Sequence, residues 1–174
     1  MNKIIFILIF GFFILNAQSQ TIANRFDDRE GNKTVTTSIV PLSKDSKQCA
    51  VEGFVLRDSI KYYALSFYFN TPRTFYLSKN DKMYIRFNDG EIFEQTAYND
   101  GILFSENSYA KISVALSEYA RKKMLRDAVT SFTLIHENFR HTIQLEDGYK
   151  KAFENLIYFM ESINVSDEKD FSEY

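Results

Sequence analysis

Ile60-Lys61-Tyr62-Tyr63-Ala64-Leu65-Ser66-Phe67-Tyr68-Phe69 is the stretch on which the fold turns. Tyr63, Leu65, Phe67 and Phe69 fall at every second position, and Tyr62, Ala64, Ser66 and Tyr68 fill the positions between them. Side chains on a strand point to opposite faces with a period of two, whereas a helix would place its apolar residues three and four apart. The stretch therefore predicts a strand with one core face and one mixed, tyrosine-bearing face. Phe and Tyr are abundant, 17 and 11 in the chain, while Trp is absent, and aromatics favour such half-buried pleated surfaces.

Working outward, residues 50–57 form a preceding strand, separated by Asp58-Ser59, and Asn70-Thr71-Pro72 stops the long one. Two further strands, residues 74–77 and 82–87, flank Ser78-Lys79-Asn80-Asp81. Asn88-Asp89-Gly90 then turns the chain into a strand over 91–96, since an Asp-Gly pair suits the positive φ that tight hairpins need. Asn99-Asp100-Gly101 turns it again. Residues 48–97 read as a β-meander, and the two turn tripeptides are not a repeat because their flanks do not match.

The second half adds helices. Residues 109–116 suit a strand, and Ser117 can cap a short helix through Asp127, with Glu118 well placed at its positive end. Residues 129–145 read as a hairpin turning at Glu137-Asn138. Asp147 is the expected N-cap of a last helix, where Tyr149, Phe153, Leu156, Met160 and Ile163 make one apolar stripe that should cover a face of the sheet. The predicted class is α+β: a mainly antiparallel sheet, a short helix near 117–127 and a C-terminal amphipathic helix packed on the sheet.

The ends are read differently. Lys3, an apolar run over residues 4–15 broken only by Gly11, and Ala17-Gln18-Ser19 spell a secretory signal peptide over residues 1–19. The run has twelve residues, short of the roughly 20 that span a bilayer. The expected address is therefore periplasmic or secreted, with no membrane insertion after cleavage. Residues 20–47 read as a polar N-terminal arm in which Val35, Ile39, Val40 and Leu42 supply one short edge strand. Residues 48–164 form one domain, and residues 165–174 an acidic tail. Cys49 is the only cysteine, so no internal disulfide staples the fold. A mature chain of about 155 residues buries roughly 70% of its unfolded surface, enough for a core without one.

The formal net charge of −2 becomes −3 when Lys3 leaves with the signal. That balance gives no reason to expect nucleic acid or an anionic membrane as partner. The string His136-Glu137-Asn138-Phe139-Arg140-His141 invites a metal reading. Zinc peptidases place two histidines four apart on a helix with a glutamate base between them, whereas here the spacing is five and the pattern alternates as in strands. The six residues are similar to the lengthened motif of dipeptidyl-peptidase-type zinc enzymes, which implies a metal-dependent hydrolase using His136, Glu137 and His141. A two-residue turn would set His136 opposite Phe139 and Leu134 opposite His141, bringing both histidines to one face, and a three-residue turn would shift that register.

Other chemistry finds little support in the residues. Cys49 begins a strand without a base beside it in sequence. No Gly-x-Ser-x-Gly, phosphate-binding loop or dinucleotide fingerprint occurs, so no cofactor is expected. Arg121, Lys122, Lys123 and Arg126 read as the solvated face of the short helix. The better binding candidate is the face carrying Tyr62 and Tyr68, extended by Tyr76 and Tyr84 on neighbouring strands. Tyrosine offers a flat apolar body and a polar tip, which suits protein or glycan partners.

The leader ending in Ala-Gln-Ser-Gln, the lack of Trp, and the strands joined by Asn-Asp-Gly and closed by an amphipathic helix resemble the small uncharacterised secreted proteins of Bacteroidota. That resemblance transfers no functional residues. The expected function is an exported, non-enzymatic binding module of the envelope or secretome, with the metal-dependent hydrolase as its rival and an inhibitor or immunity-type protein as a third reading.

Overall fold

The computed structural model describes residues 22–27, 33–44, 49–57, 61–71, 74–78, 81–97, 102–104, 109–136 and 139–163. The stretch read as a signal peptide, the second Asn-Asp-Gly, Glu137-Asn138 and the acidic residues 165–174 lie outside them. In chain order the strands are β1 (Ile22–Asp27), β2 (Lys33–Thr37), β3 (Val40–Pro41), β4 (Cys49–Arg57), β5 (Lys61–Asn70), β6 (Phe75–Leu77), β7 (Lys82–Phe87), β8 (Ile92–Thr96), β9 (Ile102–Phe104), β10 (Tyr109–Ala115), β11 (Val129–His136) and β12 (Phe139–Gln144). Two helices are described, α1 (Glu118–Met124) and α2 (Asp147–Ser162). The class is α+β and mainly antiparallel.

The alternating stretch becomes β5, and its odd residues do enter the core: Leu65, Phe67 and Phe69 are fully buried. Its partners are β4 on one side and β10 on the other. The strand order β1-β2-β4-β5-β10, with β3 beside β4, makes one sheet, and β12-β11-β7-β8 makes a second. This departs from a meander. After β5 the chain leaves for β6, β7, β8 and β9, and residues 71–108 pass before β10 pairs back with β5. The two sheets touch at an antiparallel bridge between Ala97 and Val114, while β6 and β9 form a separate ribbon.

The core lies between the two large sheets. Phe67 meets Phe132 with ring centroids 4.6 Å apart, and Phe132 meets Phe153 of α2 edge-on at 5.3 Å. Burying such rings is worth roughly 1.5–3 kcal/mol each before entropy is counted. Helix α2 lies against β4 at Gly53, where a Cβ would come within 2.5 Å of Met160 Sδ and 3.2 Å of Leu156 Cδ1. The missing side chain is what lets the helix approach so closely. Gly53 N–H donates to the buried Thr37 Oγ1 at 2.9 Å, which satisfies a backbone donor just where β2 ends.

Several local expectations need correction. The polar arm supplies three strands: β1 and β2 pair with each other, and β2 and β3 both pair with β4. Val35, Val40 and Leu42 are buried there as expected of a strand, with Thr37 beside them, while Ile39 is exposed at the break between β2 and β3. The N-cap of α2 is Glu146, with no side-chain cap bond, and Asp147 opens the first turn. Ile157 joins Phe153, Leu156 and Met160 in the buried stripe, widening it beyond the expected line. Ser117 does cap α1, accepting from Ala120 N–H at 3.1 Å. The Asn88-Asp89-Gly90 turn also forms, with Gly90 at φ +89° and Phe87 N–H donating to Glu91 O at 2.9 Å.

Candidate functional site

The outer face of the β4-β5-β10 sheet carries the even residues of β5. Register defines its rows: Leu56 beside Tyr62; Phe54, Ala64 and Ala115; Glu52, Ser66 and Ser113; and Ala50, Tyr68 and Lys111. Small side chains at Ala64, Ala115, Ser66 and Ser113 thus form a block ringed by larger ones. The result is an open groove of about 410 Å³, lined by Phe54, Leu56, Tyr62, Ala64, Ser113 and Ala115 and by Tyr63 at its end. Volumes of roughly 300–1,000 Å³ with mostly apolar and aromatic linings are typical of ligand sites.

One end of this face is apolar and the other polar. Tyr62 is 52% exposed. At the opposite end Glu52, only 8% exposed, accepts hydrogen bonds at Oε1 from Tyr68 Oη and Lys111 Nζ, both at 2.6 Å. The ammonium lies 5.5 Å from the Phe54 ring centroid and 5.2 Å from that of Tyr68. A buried carboxylate is costly unless its oxygens are engaged, and these two donors engage one of them. Burial opposes charge on Lys111, but its bonds to Glu52 and Tyr68 outweigh that and leave its pKa raised. Burial and the Glu52 bond push the Tyr68 hydroxyl up as well. Between the two ends, the Ser66 and Ser113 hydroxyls bond each other at 2.7 Å.

The four expected tyrosines do not form one platform. Tyr62 and Tyr68 share the outer face of β5, as the alternation implied. Tyr76 sits exposed on the β6-β9 ribbon. Tyr84 lies on the outer face of the other sheet, donating to Glu94 at 3.0 Å beside the Lys82–Glu94 ion pair. The physical reason is the crossover after β5, which sends the next two tyrosines away from it. In their place the fold supplies Phe54, Leu56, Ala64, Ala115, Glu52 and Lys111.

The histidines do reach one face. His136 pairs with Phe139 and Leu134 with His141, the register that makes the two rings diagonal neighbours. Each is engaged elsewhere: His136 Nδ1 lies 2.7 Å from Asp81 Oδ1, and His141 stacks on Phe69 at 4.8 Å. Burial lowers the His141 pKa. Among the described residues, no three His, Cys, Asp or Glu side chains are grouped to hold a metal, and Glu137 lies outside those residues.

The basic cluster on α1 is divided: Lys122 and Arg126 are exposed, as a solvated face requires, whereas Arg121 and Lys123 are engaged inward. Lys123 is buried, and hydrogen bonds from its ammonium to Asp89, Glu91 and Asp127 hold its pKa well above the ordinary lysine value. Arg121 lies over the Tyr63 ring at 3.9 Å and donates to Glu161 at 2.6 Å. Lys122 pairs with Glu118. The Lys123 and Arg121 contacts tie α1 to the β7-β8 turn and to α2, so these two residues work as a clasp between elements.

Among the described residues no helix is long and apolar enough to cross a membrane. No protein-family model, curated protein or solved structure matches the chain, so the functional reading rests on the geometry above.

Proposed function

We propose that this protein is an exported, non-enzymatic binding module that takes the apolar part of a ligand into the groove on the outer face of β4, β5 and β10. One observation carries the reading. The inner face of these strands already supplies the core, yet the outer face holds a groove floored by Ala64 and Ala115, with Phe54, Leu56 and Tyr62 around it. Large apolar side chains left on a surface with a depression beside them are the usual mark of a recognition site. A sugar would need several hydroxyl partners along the floor; Ala64 and Ala115 offer none and the Ser113 hydroxyl is already bonded to Ser66, so the lining favours an apolar body over a glycan. The leader over residues 1–19 supports the exported address.

The test is titration of the purified chain with an environment-sensitive apolar fluorophore, beside an Ala64→Trp variant whose indole fills the floor. Saturable binding by the native chain that the variant loses, with its circular dichroism unchanged, supports the proposal. A native chain that shows no saturable binding ends it. Mass spectrometry of exported material should find Gln20 at the amino terminus, and retention of Met1 would remove the export reading.

A further inference from the structure

We infer that the ligand is an amphiphile with one anionic head, its tail lying over Ala64 and Ala115 and its head meeting Lys111; this rests on the groove being the binding site. The rows of the sheet grade from apolar to polar along β5. Tyr62 and Leu56 stand at one end, Ala64 and Ala115 follow, then Ser113 beside the fully buried Ser66, and Tyr68 with Lys111 close the series. Tyr68 lies six positions after Tyr62, which at roughly 3.3 Å per residue is a track of about 20 Å. A molecule that is apolar along most of its length and polar at one tip fits this gradient, and a uniformly polar chain does not.

The sign of the head follows from which charge faces outward. The side chain of Lys111 is 42% exposed, whereas that of its partner Glu52 is 11% exposed. Glu52 Oε1 already accepts from both Tyr68 and Lys111. An ammonium carries three donors, and its bonds to Glu52 and Tyr68 leave one for a ligand. Because Coulomb energy falls with distance, a head arriving from solvent responds first to the nearer ammonium. An anionic head becomes its second counter-ion, and a cationic head is repelled. Phe54 completes the junction, since its ring lies under the ammonium and also lines the groove.

Displacement of the bound fluorophore by three ligands with the same tail tests this: dodecanoate, dodecanol and dodecylammonium, each below its aggregation threshold. Dodecanoate should displace at a concentration about tenfold lower than dodecanol, the difference expected of one charge-assisted hydrogen bond, with dodecylammonium weakest. In a Glu52→Gln/Lys111→Gln double variant, which keeps a hydrogen-bonding pair without charge, the acid-to-alcohol ratio should fall close to one. Equal displacement by all three, or preference for the ammonium, would overturn the anionic head while leaving the groove reading intact, provided Ala64→Trp still blocks the fluorophore. An unchanged ratio in the double variant would remove Lys111 as the reader of the head. Absence of any saturable fluorophore binding would sink the groove reading and this inference together.

Discussion

The two faces of β5 are made from alternate residues of the same ten-residue strand, and they have opposite fates. Its odd residues meet a second sheet and a helix, and Phe67 and Phe69 are fully covered. On the even side, Tyr62 stays about half exposed, while Glu52 on the neighbouring strand is nearly buried by its own row of side chains. The inner face is closed by packing between distant elements. The outer face buries its carboxylate only through hydrogen bonds within one layer. Stability therefore belongs mainly to the first, and the proposed recognition falls to the second, although both draw on the same aromatic composition.

That contrast can be broken or sharpened by substitution. Phe67→Ala opens the contact with Phe132 and should cost about 3–5 kcal/mol in denaturant unfolding; a cost below about 1 kcal/mol, within the range of surface changes, would mean that the inner face is not the core. Gly53→Val drives two methyl groups toward Met160 and Leu156, and should destabilise by about 1–3 kcal/mol by overpacking. Tyr68→Phe removes one donor from the Glu52 carboxylate on the outer face, with an expected loss of about 1 kcal/mol. The corresponding measurement is the midpoint of chemical denaturation for each variant.

His141 offers a pH test of the inner face. Burial holds its folded pKa below the ordinary value of 6.5, so the unfolded chain takes up its proton first as pH falls. Stability should decline as pH drops from 6.5 toward that lower folded pKa, and His141→Phe, which keeps a ring against Phe69, should flatten the decline. Thermal melts between pH 7 and pH 5 would show it, and identical slopes for native and variant would refute it. The smallest effect is expected at Tyr62→Ala, within about 0.5 kcal/mol of native stability, with apolar ligand binding lost. A large stability loss there would make Tyr62 a packing residue and erase the contrast between the faces.

The existence and type of most elements were legible in local residue order. The period of two in β5, Ser117 before α1, Gly90 in its turn, and the apolar stripe of α2 each arise from interactions within a few residues. The polar arm was partly legible: Val35 and Val40 marked one short strand, but β1, which pairs with β2, and the division into β2 and β3, which pair with β4, have no apolar pattern of their own. The candidate site was half legible. Tyr62 and Tyr68 could be placed on one face from alternation alone. Alternation within residues 109–116 also sets Lys111, Ser113 and Ala115 on one side, but nothing local says that this side lies beside Ala64 and Ser66. Tyr76 and Tyr84 were misplaced for the same reason, since sequence neighbours need not be sheet neighbours.

The sequence by itself determined which residues of β5 turn inward, where the chain turns, and that a C-terminal helix presents an apolar stripe, because these are consequences of backbone period and local capping. Only the tertiary structure decided that β10 lies against β5, that Glu52 is held between Tyr68 and Lys111, and that Ala64, Ser113 and Ala115 meet in a groove. Those outcomes depend on the pairing of strands some forty residues apart, and pairing at that distance is settled by how the whole core packs.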